Sequence, residues 1–66
     1  MPVISVELGQ GQMNEAQKKK MIERFTADAV DITGIDAIKF TILINELPAE
    51  NIGVGGKSIK DIKAGL

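Results

Sequence analysis

Apolar and polar residues alternate along "PVISVEL", from Pro2 to Leu8. Ile4, Val6 and Leu8 fall on one side and Ser5 and Glu7 on the other, the period of a half-covered strand rich in β-branched residues. Gly9 and Gly11 end it in the loop "GQGQM". From Asn14 the period changes. Apolar residues recur at Met21, Ile22, Phe25, Ala29 and Ile32, with Val30 beside them, which is helical spacing. Asn14 is a good N-cap, and Gln17 stands where a capping-box partner belongs. Glu15 suits the positive end of the helix dipole, and Gly34 stops the helix. Lys18, Lys19, Glu23 and Asp28 are assigned to the outer face, so the run "KKK" reads as solvated helix surface rather than an anion site.

After "TGID", the segment "AIKFTILINEL" (Ala37 to Leu47) reads as a second strand, closed by Pro48. Ile38, Phe40, Ile42 and Ile44 share one face; Lys39, Thr41, Leu43 and Asn45 share the other. The second face is only half polar, as in a strand covered on both sides. Two strands joined by a helix of this length predict a βαβ unit with parallel strands and a right-handed crossover. The helix covers one face of that sheet. The chain holds nothing to cover the other, which predicts a second subunit against it. The tail "GKSIKDIKAGL" has weak helical or extended character and is assigned no element.

Length sharpens this expectation. Sixty-six residues make one domain, residues 1–66, and a domain this small buries only about 60% of its unfolded surface. There is no cysteine and no histidine. Disulfides, thiolate metal sites, the commonest zinc ligand and the usual neutral-pH base are thereby excluded. The carboxylates show no EF-hand spacing, so no metal is expected. Oligomerisation is the remaining means of stabilisation. Eight basic and nine acidic residues leave a net charge of −1, and Phe25 and Phe40 are the only aromatics. A nucleic-acid partner is not expected without a cationic stripe or stacking rings. The start "MPVISVELGQ" has neither the charge nor the apolar run of a signal peptide or membrane span, so a cytoplasmic protein is expected.

Two short stretches carry candidate chemistry. "NIGVGGKS" ends like a phosphate-binding loop at Gly56, Lys57 and Ser58, but the required first glycine is replaced by Asn51. Too little chain follows for a nucleotide fold. Gly53, Gly55 and Gly56 instead suit a tight hairpin at a subunit contact. At the other end, Pro2 follows the initiator methionine. Small second residues generally allow Met1 to be removed, leaving Pro2 with a free secondary amine. An α-amino group titrates near ~7.7–8.0, and an apolar pocket lowers that value. Such a group is a base poised near neutral pH and a nucleophile toward carbonyls. Position alone favours a proline at a strand start, where no ladder donor is needed.

The whole chain resembles the 4-oxalocrotonate tautomerase family of the tautomerase superfamily. The resemblance lies in the start "MPVISVEL", the helix opening "NEAQKKKMIERF", the strand "FTILINEL" and the loop "NIGVGG" at its proper distance after "INEL". It implies an α/β (α+β) chain: a β-α-β unit with parallel strands and a short C-terminal hairpin, assembled into an oligomer, commonly a hexamer built as a trimer of dimers. It also implies a catalytic role for Pro2. In the family the amino-terminal proline moves a proton within an unsaturated 2-hydroxy or 2-oxo acid, with no metal or organic cofactor.

The chain departs from the family at three positions. Where relatives carry substrate-binding arginines, it has Gln12 in the loop after the first strand and Thr41 in the second strand. Where an aromatic residue often lines the pocket, it has Ile52. Gln12 and Thr41 offer neutral hydrogen bonds in place of a charged bidentate pair. Lys39 is a candidate substitute. It precedes Thr41 by two residues, so in a strand both side chains leave the same face. Lys57 and Arg24 have weaker claims. The expected function is interconversion of enol and keto forms of an unsaturated acid, with a smaller or monoacid substrate favoured over a dicarboxylate. The alternative is an oligomeric scaffold or binding module that keeps the fold without the chemistry.

Overall fold

The computed structural model describes residues 1–66. The chain runs through β1 (Val3–Gly9), α1 (Glu15–Thr33), a 3-10 turn (Ala37–Lys39), β2 (Thr41–Leu47) and a second 3-10 turn (Ala49–Asn51), then β3 (Gly53–Val54), β4 (Lys57–Ser58) and α2 (Ile59–Ala64). β1 and β2 pair in parallel, with Val3 opposite Thr41 and Gly9 opposite Leu47. β3 and β4 form a separate antiparallel hairpin. The parallel pair, its crossover helix and the C-terminal hairpin are the architecture that the sequence predicts.

Local signals set the helix ends. Asn14 Oδ1 accepts from the Gln17 N–H at 2.8 Å, and the Gln17 side chain accepts from the Asn14 N–H at 2.9 Å. Two of the amides that a helix start leaves without partners are thus satisfied reciprocally. At the far end Gly34 adopts φ 72° and donates its N–H to the Val30 carbonyl, a backbone geometry that a side chain would strain.

The second strand starts later than its alternation suggests. Residues 37–39 turn as a 3-10 helix, with the Lys39 and Phe40 N–H groups donating to the Asp36 and Ala37 carbonyls. Lys39 therefore leaves a turn rather than a strand, and the strand-parity argument linking it to Thr41 does not apply. Ile38 is 85% exposed instead of sharing a face with Ile42 and Ile44. The reason lies in β1. The Thr41 N–H donates to the Pro2 carbonyl, and β1 begins only at Val3. Residues before Thr41 thus have no strand beside them and satisfy their amides locally.

The sheet has two unlike faces. Ile4, Val6 and Leu8 of β1 and Ile42 and Ile44 of β2 are half-buried on the α1 side. Glu46 joins them, opposite Leu8 in the ladder, and takes Lys18 of α1 as its ion-pair partner. Lys18 is thus half-buried toward the sheet, not on the outer face. The other face carries Val3 and Leu43, nearly half exposed, and a polar cluster. There Asn45 Nδ2 donates to Ser5 Oγ and Glu7 Oε1, each at 3.1 Å, and Ser5 Oγ donates to Glu7 Oε1 at 2.9 Å.

No residue of the chain is buried, and Ile32 of the predicted apolar helix face is 82% exposed. The accessible surface is 5019 Å², where about 4,100 Å² is usual for a folded monomer of this mass. The radius of gyration is 15.4 Å, against about 11 Å for a compact chain of this length. The molecule extends over 48 × 24 × 15 Å. No helix is long and apolar enough to cross a membrane.

Replacing Asn14 with Ala removes the side-chain cap on the Gln17 N–H and leaves the backbone half of the capping box in place. The expected cost is about 1 kcal/mol, read at fixed protein concentration as a melting temperature lowered by roughly 4–8 °C.

Candidate active site

Pro2 stands at the amino-terminal edge of the parallel sheet. It is half-buried, and its carbonyl is held by the Thr41 N–H at 3.0 Å. Met1 before it is 90% exposed, open to an aminopeptidase. Lys39 is exposed in the turn that leads into Thr41. Three of the five sequence-nominated residues therefore gather at the end where both strands begin.

The other two lie at the opposite end. A Cβ built on Gly9 would sit 3.4 Å from Gln12 Nε2 and 3.9 Å from Ile52 Cδ1. Gln12 and Ile52 thus converge over a glycine whose bare backbone makes room for them. β1 covers about 20 Å between Val3 and Gly9 at ~3.3 Å per residue. Pro2 and the Gln12–Ile52 pair of one chain are separated by that length.

Around Gln12 and Ile52 opens a cavity of about 570 Å³, within the usual range for small-molecule sites. Leu8, Leu47, Ala49, Ile52 and Ile59 supply its apolar wall; Glu7, Gln10, Gln12 and Lys63 supply the polar groups. The sequence reading did not single out Lys63. A signal was present: Ile59 and Lys63 are four apart, one above the other on a helix. It could be read only once α2 was known to be helical and to border the cavity.

Glu46 and Lys18 join the start of α1 to the end of β2, beside the loop that carries Gln12. The hydrogen bond from Lys18 holds the Glu46 carboxyl below its ordinary range, and the Lys18 charge and the Gly11 N–H act in the same direction against partial desolvation. The ion pair thereby links the helix start to the end of β2. Gly11 itself takes φ 80°, which lets the loop turn beneath Gln12.

The "GGKS" segment is spent on structure. Gly55 and Gly56 take φ 62° and 88° as the two-residue turn of the β3–β4 hairpin, the left-handed pair such a turn requires. Gly53, in contrast, lies in β3 without positive φ. Lys57 Nζ donates to the Leu66 carbonyl at 3.0 Å. Ser58 Oγ caps α2 by accepting from the Asp61 N–H at 3.1 Å.

Known proteins share this fold and this sequence. A sequence model of the tautomerase enzyme family matches residues 2–62. The 2-hydroxymuconate tautomerase of Pseudomonas putida is 36% identical over 62 residues, spanning 94% of this chain and 97% of that one. A crystal structure of DmpI from Archaeoglobus fulgidus is 45% identical, covers 91% of this chain and all of that one, and superposes with a TM-score of 0.78. TomN, a 4-oxalocrotonate tautomerase homologue of the tomaymycin biosynthetic pathway, is 28% identical, covers 96% and 95% of the two chains, and has a TM-score of 0.86. The chain belongs to the 4-oxalocrotonate tautomerase family. Its role is accordingly that of a tautomerase, an isomerase.

The depressed Glu46 pKa carries a sign. A carboxylate held low stabilises the fold above its unfolded value, and that contribution is lost as pH falls through the folded value. Acidification from about pH 5 to pH 3 should therefore lower the urea midpoint of the parent more than that of Glu46→Gln, which has no charge to lose. Equal losses in the two proteins would remove Glu46 from the acid response.

Proposed function

We propose that the protein interconverts enol and keto forms of an unsaturated 2-hydroxy or 2-oxo acid, with the amine of Pro2, exposed by loss of Met1, as base and then acid. The observation that carries this reading is the placement of Pro2. It is held by its carbonyl in the first rung of the sheet, half-buried, with an exposed methionine before it. While Met1 remains, the Pro2 nitrogen is a tertiary amide without basicity. Once Met1 is gone, the amine takes the enol hydroxyl proton, and the ammonium returns a proton to carbon of the conjugated system. The net change is a shift of one proton and one double bond, so no electrons leave the substrate.

The fold gives the reading its quaternary form. Pro2 and the Gln12–Ile52 cavity lie at opposite ends of a seven-residue strand pair, too far apart to act on one small acid. The proposal places Pro2 of one copy against the cavity of another. The exposed apolar residues and the second sheet face would then be covered by neighbouring copies, in a hexamer assembled as a trimer of dimers. Thr41 and Lys39 would enter the site from the Pro2 end, and Gln12 and Ile52 from the cavity end.

The decisive assay is ultraviolet-monitored ketonisation of 2-hydroxymuconate and phenylenolpyruvate, with protein whose intact mass shows Met1 removed. Pro2→Ala should lower turnover by at least ~10²-fold, the usual contribution of a positioned acid–base group, and protein retaining Met1 should be equally impaired. Equal rates in parent and Pro2→Ala would favour the scaffold reading instead.

Assembly is tested by sedimentation equilibrium, where the mass of six chains is expected. A folded monomer at micromolar concentration would overturn the shared-site arrangement.

A further inference from the structure

The cavity at the ends of β1 and β2 takes its one cation from α2. Lys63 borders it together with Gln12 and Ile52. The only ion pair in the chain is Lys18–Glu46, so the Lys63 ammonium has no carboxylate partner. The nearby acid, Glu7, is engaged by Ser5 and Asn45 on the open sheet face. The other basic candidates are placed elsewhere. Lys57 is tied to the Leu66 carbonyl, Arg24 borders a separate groove on α1 with Met21 and Phe25, and Lys39 stands in the turn at the Pro2 end.

We propose that Lys63 is the carboxylate-binding residue of this cavity and that the site takes a monocarboxylate whose remainder is apolar. An ammonium on a flexible stem binds a carboxylate as a point charge, and the Gln10 and Gln12 amides lie in the same lining to donate neutral hydrogen bonds. One unpaired cation matches one carboxylate. Leu8, Leu47, Ile52 and Ile59 form the rest of the wall. A second carboxylate there would lose its water against hydrocarbon, which is unfavourable. This rests on the tautomerase reading for the identity of the ligand, but the binding step does not depend on Pro2 chemistry.

The test is equilibrium binding, by titration calorimetry on the assembled protein, of phenylpyruvate and of its methyl ester. Lys63→Met should weaken the acid about tenfold, the effect of losing one hydrogen bond to a charged group. It should leave the ester unchanged. Lys63→Arg should restore the acid, and high salt should weaken acid binding in the parent more than in Lys63→Met. Unchanged acid binding in Lys63→Met would overturn the proposal, as would equal weakening of acid and ester, which marks a damaged pocket. So would a tenfold loss in Lys39→Ala with none in Lys63→Met, which would move the anchor to the Pro2 end. Turnover of Pro2→Ala, measured in parallel, tests the base separately: a Lys63 effect on binding with full Pro2→Ala activity would uphold the anchor and reject the base.

Discussion

Parallel pairing of β1 with β2 is the constraint on which the rest of the molecule depends. Parallel strands cannot be joined by a tight turn, so the chain must cross over, and α1 is that crossover. The same pairing collects both strand starts at one end of the sheet and both strand ends at the other. Pro2, Thr41 and Lys39 are sent to the first end; Gly9, Gln12 and the loop bearing Ile52 are sent to the second. A two-stranded sheet offers no third strand to bring those ends together. The division of the candidate site follows from the register itself.

That division and the lack of an interior have one remedy. A single helix over a two-stranded sheet encloses nothing, and no residue of the chain is buried. Apolar side chains left in water forgo about 25 cal/mol for each Å² that could have been covered. The surface exceeds the usual monomer value by roughly 900 Å², and the apolar share of that excess favours association. Association that covers the sheet face and the helix flank would, in the proposed assembly, also join the two kinds of half-site. In the proposed assembly the stability and the chemistry of the protein come from the same contacts.

Two polar contacts lie close to the nominated residues. Lys18 ties the helix start to Glu46 at the end of β2, and the Thr41 N–H holds the Pro2 carbonyl. With Gln12 neutral and Lys63 the one cation of the lining, the apolar wall makes up much of the cavity. If Lys63 is the anchor, as proposed, such a site would discriminate by shape and by a single charge rather than by paired bidentate contacts.

Much of this was determined by the sequence alone. Alternation in "VISVEL" and "TILINEL", the Asn14–Gln17 capping box, Gly34 and the paired glycines of the hairpin are local signals, each acting within a few residues, and each was legible. Family membership was legible because it rests on residue identity at fixed spacing, and Pro2 was nominated on that same ground. The tertiary structure decided what depends on partners distant in the chain. Ala37–Lys39 has strand-like alternation but turns, because β1 has no residue to pair with it. Lys18 looked like helix surface until Glu46, 28 residues away, lay beneath it. Lys63 acquired a cavity only because α2 folds back beside Leu8 and Leu47. Periodicity reports which way a side chain leaves its own backbone; only packing determines what it meets there.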